Sequence, residues 1–202
     1  MKKLIALTGA AGSGKSTVAE YLSQLEPSSM ERKREHIPFA RIKFSQTLKK
    51  MLLQIPGITE EMTEGRLKET PQEIFGGQTP RQVMQTLGTE WGRESVSKNI
   101  WLDSWERSIE DYSYVVAEDL RYVNEAELVK RLGGEIWRVK RPNYLNSGHV
   151  SETEQTDIEA DVIIHNNGSI ENLHLNVRAI LSPWNGEDVE PKPWHTQKVR
   201  LK

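Results

Sequence analysis

Near the start of the chain runs LTGAAGSGKSTVAEYL, in which Gly9, Gly14, Lys15 and Ser16 stand at the spacing Gly-x-x-x-x-Gly-Lys-Ser. These residue types at this spacing hold the phosphates of a nucleotide. Glycines let backbone N–H groups turn inward on an anion. The lysine bridges the β- and γ-phosphates, and the serine hydroxyl is a ligand for Mg²⁺. The expected ATP contacts are therefore Ala11, Gly12, Ser13, Gly14, Lys15, Ser16 and Thr17, at the positive end of the helix that follows. Such a loop hydrolyses a nucleotide, senses it, or hands its phosphate to a second molecule, and the loop alone does not choose.

Three further groups of residues bear on that choice. In TPRQVMQTLGTEWGRES, Arg81, Gln85, Gly88 and Gly92 form one helical stripe, while Val83, Met84, Leu87 and Trp91 form a core-facing one. Two glycines inside a helix cost about 1 kcal/mol each, which something flat approaching them would explain. An acceptor site would use Arg81 on a phosphate, Gln85 on a base or sugar edge and the glycines as open room, with Arg93 nearby; a shorter helix with a solvated Arg81 is the competing account. In VVAEDLRYVNEAELV, Asp119 follows an apolar strand at the end where sheet ligands bind. It would hold the Mg²⁺ shell or the acceptor, Arg121 would grip a phosphate, and Glu125 would position a sugar or base; a helix cap and a solvated first turn compete with this. Arg138 and Arg141 flank a polar excursion, and Arg141, at the hinge beside Pro142, is the favoured lid cation.

The elements that must position these groups are legible in outline. Strands are expected at 3–8, 39–44, 113–118, 135–141 and 160–166, and helices at 15–25, 45–55, 79–95, 100–112, 123–134 and 169–181. Residues 56–78 read as irregular, 27–38 as a loop, 142–157 as a polar excursion, and 182–202 as a tail without pattern. Strands alternating with helices imply an α/β, three-layer fold with a mainly parallel five-stranded sheet. One domain is expected over 1–181, with an acceptor-binding helical region at about 45–112 and a lid at about 141–157.

Composition excludes several functions. The formal net charge of −2 gives no sign of a nucleic-acid polymer or a membrane as partner. With no cysteine there is no thiolate chemistry and no disulfide, which fits a reducing cytoplasm. The apolar run of MKKLIAL enters the phosphate loop directly and reads as a buried strand, not a leader.

The Thr-Pro-Arg helix, the Asp-x-Arg turn followed by Asn-Glu-Ala, the SGHVSETE segment and the closing IIHNNGSIENL together resemble the phage-type deoxynucleoside monophosphate kinases, a branch of the P-loop nucleoside monophosphate kinases. The resemblance spans about residues 3–181. It implies ATP and Mg²⁺ with a nucleoside monophosphate as acceptor, and a monomer or homodimer. It implies Lys15, Asp119, Arg121 and Arg141 as catalytic, Ser16 and Asp119 at the metal, and Arg81, Gln85, Arg93, Trp101, Asp119, Arg121 and Glu125 at the acceptor. Trp101 matches a family tryptophan that would stack on a base, core packing being the alternative, whereas Trp105 reads as core. Lys49 matches a family lysine but otherwise reads as solvent-facing, His149 reads as a lid contact, and the stretch 165–168 as a contact to the ATP base. Two departures stand out: AEDLR offers both Glu118 and Asp119, spacing favouring Asp119, and Gly148 replaces the usual acid before the lid histidine. Two other functions compete with this one. The first is a P-loop kinase of another small acceptor (dephospho-coenzyme A or phosphomevalonate type), and the second an ATPase without an acceptor.

Overall fold

The structure, a computed structural model, describes residues 3–25, 38–142, 155, 157–185 and 196–198. Most of the expected lid, with Gly148 and His149, lies outside the described residues, as do most of the 27–38 loop and of the tail.

Two compact units are formed, one from 1–42 with 111–202 and one from 43–110. The first is built on a sheet of order β2-β3-β1-β4-β5-β6. Its members are β1 (Lys3–Thr8), β2 (Ala40–Arg41), β3 (Tyr114–Ala117), β4 (Glu135–Lys140), β5 (Val162–His165) and β6 (Thr196–Lys198). The first five are parallel, and β6 pairs antiparallel with β5. The tail thus supplies a sixth, edge strand that the sequence did not announce. Leu4 to Leu7, Val115 to Ala117 and Ile136 to Trp137 are buried, as parallel strands covered on both faces require. Helix α1 (Lys15–Ser23) and α7 (Ile170–Asn185) share one core with the sheet, through Val18, Leu22, Leu173 and Val177 against Ile5, Val116, Trp137 and Ile164. Helix α6 (Val123–Arg131) connects β3 to β4.

The expected strand at 39–44 shrinks to Ala40–Arg41, and the Ile42 N–H bond to the Val116 carbonyl, 3.0 Å, prolongs its pairing. Helix α2 (Gln46–Leu53) then opens the second unit, with α3 (Glu60–Thr63), two single 3₁₀ turns, α4 (Pro80–Thr86) and α5 (Ile100–Ser108). Leu48, Leu52, Ile58, Met84 and Trp101 form its core, and Phe44 stacks on Trp105 with ring centroids 4.1 Å apart.

The expected helix at 79–95 starts as read and continues differently. Thr79 Oγ1 accepts the Gln82 N–H at 3.2 Å, Gln82 Oε1 accepts the Thr79 N–H at 2.8 Å, and Pro80 takes the first position. From Leu87 to Val96 the helix is π-helical. Bonds to i+5 add a residue to each turn, so an α-helical wheel loses phase beyond Leu87. Trp91, expected in the core, is 41% exposed, while Gly92 is buried.

Candidate active site

The phosphate loop joins the end of β1 to α1. Gly14, the helix N-cap, has φ +108°, and no side chain caps the helix. The first amides of α1 have no intrahelical acceptors, so they are directed at whatever anion the loop receives. Lys15 Nζ donates to the carbonyls of Gly9 (2.6 Å) and Ala10 (2.8 Å), which fixes the ammonium on the loop. Ser16 is exposed and Thr17 half-buried on the first turn, and Ala11 and Gly12 are exposed.

Ser13 departs from the expected role. It is 1% exposed, its N–H donates to the Ala10 carbonyl at 3.2 Å, and its own carbonyl accepts the Asn166 amide. Its groups face the protein, so it shapes the loop.

A cavity of about 370 Å³ opens over this loop, within the usual range for small-molecule sites. Gly12, Lys15, Ser16 and Thr17 line it from the β1 side, Arg141 from the end of β4, and Asn166, Gly168, Ile170 and Leu173 from beyond β5. Asn166 Nδ2 donates to the Ser13 carbonyl at 2.8 Å, so the 165–168 stretch holds the loop as well as lining the cavity. Arg141 Nη1 lies 3.5 Å from the Gly12 carbonyl. Arg138 has a different task. It donates to the carbonyls of Gln155 and Ile158, and burial pushes its guanidinium below the ordinary arginine value. It therefore pins chain returning from the polar excursion, and Arg141 is the arginine at the cavity.

On the other side of β1, the Leu120 N–H donates to the Leu7 carbonyl at 3.2 Å. This bond holds the turn 118–121 against the end of β1, with Asp119 and Arg121 half-buried in it. Glu125 corrects the sequence reading. It is 3% exposed, and its Oε2 accepts the N–H groups of Arg121 (2.9 Å) and Tyr122 (3.2 Å). As the acid of the first turn of α6 it satisfies amides that the helix leaves open. It sets the Arg121 backbone in place and is not presented to a sugar or base.

Glu118 takes a role of its own. Its carboxylate is buried and receives Nη2 of Arg41 on both oxygens, at 2.8 and 3.1 Å. Arg41 belongs to no motif in the sequence. The available signal was an arginine in a short strand beside a strand that ends in two acids.

In the second unit, Arg81 Nε is paired with Glu69 and half-exposed, and Gln85 and Arg93 are half-buried. Trp101 is a correction. It is 5% exposed, its Nε1–H donates to the Gly88 carbonyl at 2.7 Å, and a Cβ on Gly92 would stand 2.6 Å from its ring. The flat group that Gly92 admits is this indole, and a Cβ on Gly88 would meet Leu48 at 3.1 Å, so the room is filled from within and the ring is packed instead of open to a base. Lys49 is also not solvent-facing: its side chain is 12% exposed and donates to Glu64 at 2.6 Å.

A phosphate loop on the inner strand of a sheet ordered 2-3-1-4-5, with Lys15 and Arg141 at its cavity, defines a P-loop nucleotide-binding enzyme. Comparison with known proteins narrows this class. The model of the deoxynucleotide monophosphate kinase family matches residues 25–177. A provisionally named deoxynucleotide monophosphate kinase of Acanthamoeba polyphaga mimivirus is 31% identical over 191 residues, 86% of this chain and 93% of its own. The deoxynucleotide monophosphate kinase of Escherichia phage RB69 is 28% identical over 57% of this chain and 50% of its own length. The deoxynucleoside-5'-monophosphate kinase of Escherichia phage T5 is 43% identical over 26% of this chain and 22% of its own length. The chain belongs to the deoxynucleotide monophosphate kinase family and is a kinase.

Among the described residues no helix is long and apolar enough to cross a membrane.

Proposed function

We propose that the chain transfers the γ-phosphate of ATP to a deoxynucleoside monophosphate, giving ADP and the deoxynucleoside diphosphate. The observation that carries this reading is the one-sidedness of the cavity. Its walls come from the ends of β1, β4 and β5, while the ends of β3 and β2, on the other side of β1, bear Asp119, Arg121 and Arg41. A donor nucleotide in the cavity therefore points its terminal phosphate toward the β3 side, and the acceptor approaches from there. The family match favours this over another small acceptor or an acceptor-free ATPase.

A phosphate oxygen of the acceptor forms the new bond to the γ-phosphorus, and the bond from that phosphorus to the β–γ bridging oxygen breaks. The acceptor is already anionic near neutral pH, so no general base is needed. Charge on the moving group is met by Lys15, Arg141 and Arg121, and the protein's contribution is placement and electrostatics. ATP arrives with Mg²⁺. The Ser16 hydroxyl, on the first turn of α1, and the Asp119 carboxylate, just beyond β3, are oxygen donors, the type that a hard cation takes. When bound, the ion neutralises phosphate charge. On the family pattern, Arg81, Gln85 and Arg93 contact the acceptor. Both substrates are cytoplasmic, and viral relatives suggest a host's cytoplasm.

The test is ADP release with ATP and Mg²⁺ against dAMP, dGMP, dCMP, dTMP and the four ribonucleotides. Turnover with at least one deoxynucleotide is expected. ADP release that ignores every acceptor would overturn the proposal.

A further inference from the structure

The geometry points to Arg41 as a binding residue for the acceptor's phosphate, held in position by the buried carboxylate of Glu118. The inference rests on the function proposed above and adds two residues to it.

Arg41 pairs in register with Val116. Side chains alternate along a strand and neighbours in register share a face, so Arg41 lies on the face of Val116 and, two residues on, of Glu118. The Glu118 side chain is 3% exposed and that of Arg41 34%. A buried carboxylate is costly unless paired, and a single arginine nitrogen, Nη2, spans both of its oxygens. Arginine carries five N–H donors on three nitrogens. Among the described residues nothing else bonds this guanidinium, so the donors of Nε and Nη1 stay available on a group that is already oriented.

The Nε–H and the Nη1 donors flank the nitrogen that Glu118 holds, so each gives a phosphate dianion a charge-assisted hydrogen bond from a fixed position. Its place selects which phosphate. Arg41 stands on the strand beyond β3, on the side of β1 opposite Arg141 and Asn166, which line the donor cavity. The doubled acid of AEDLR thus divides its labour: Glu118 orients Arg41, and Asp119 is left for the metal shell.

The experiment compares wild type with Arg41→Ala, Arg41→Lys and Glu118→Gln, using steady-state kinetics and calorimetric titration of the best deoxynucleotide without ATP. Both Arg41 variants are expected to raise the acceptor's KM and Kd by about tenfold to a hundredfold, with the KM for ATP unchanged. Lysine still neutralises Glu118 but has no second donor nitrogen for the phosphate, so it carries the test should Arg41→Ala fail to fold. Glu118→Gln is expected to raise the acceptor's KM more than it lowers kcat, and to add little once Arg41 is lost, as members of one unit do. Unchanged acceptor KM and Kd in folded Arg41 variants would overturn the inference and leave the pair as a brace between β2 and β3. If wild type binds and turns over no deoxynucleotide, the proposed function itself fails, an outcome separable from the first because it appears before any substitution is made.

Discussion

The side-chain amide of Asn166 donates to the Ser13 carbonyl at 2.8 Å, and its nitrogen lies 2.6 Å from where a Cβ on Gly14 would stand. The chain leaving β5 therefore packs directly on the phosphate loop and fixes its shape from outside. Two substitutions read this contact. Asn166→Ala removes one hydrogen bond, about 1 kcal/mol, and should weaken ATP binding roughly fivefold. Gly14→Ala places a methyl group on the amide at a backbone angle that L-residues avoid, and should abolish ATP binding. Titration calorimetry with ATP checks both, and a Gly14→Ala protein that binds ATP normally would refute the packing.

Lys15 and Arg121 should separate donor from acceptor chemistry. Lys15→Ala removes a cation at the transferring phosphate and should lower kcat by about 10²–10³-fold, with circular dichroism unchanged. Arg121→Ala should raise the KM of the acceptor with little effect on that of ATP. Equal damage to both constants by Arg121→Ala would contradict its placement.

The second unit has a stability prediction of its own. Trp101→Phe strips the Gly88 carbonyl of its buried donor, at a cost of about 1–3 kcal/mol. Gly92→Ala drives a methyl group to 2.6 Å from the indole, an overpacking that costs about 1–3 kcal/mol. Urea unfolding followed by tryptophan fluorescence should show both losses. A neutral Gly92→Ala would mean that the ring is not seated as described.

Glu64 supplies a pH dependence. Burial alone would raise its pKa, but hydrogen bonds and charge from Lys49 and Lys43 outweigh burial and bring it below the ordinary 4.5. A depressed carboxylate contributes stability above its unfolded-state value, and that contribution is lost as pH falls through the folded-state value. The stability gap between wild type and Glu64→Gln should therefore be constant above about pH 5.5 and shrink below about pH 4.5. Denaturant midpoints across that range measure it; a gap that widens toward acid pH would contradict the sign.

Much of the first unit was readable because buried parallel strands announce themselves. KLIAL, YVVA and EIWRV are apolar runs with no alternative home, and Gly-x-x-x-x-Gly-Lys-Ser is local. What stayed hidden depends on distance or on backbone alone. The π-helical bonding after Leu87 leaves no trace in residue type, so Trp91 and Gly92 exchanged places with respect to the core. Arg41 and Glu118 are 77 residues apart, and neither signals the other. Glu125 looked like a ligand group because an acid that caps a helix and an acid that binds a sugar have the same side chain.

The sheet order also sets a timetable for synthesis. Lys3 begins β1, but its partners in the sheet are Tyr114 and its neighbours on one side and Glu135 to Arg138 on the other. The strand that bears the phosphate loop is made first and must wait for some 110 later residues before its first flank exists and some 130 before its second, a non-local closure that slows folding. The unit 43–110 is continuous in sequence and is free to condense on the ribosome meanwhile. A chain stalled short of β4 would thus carry the complete nucleotide signature without the half of the sheet that gives it shape.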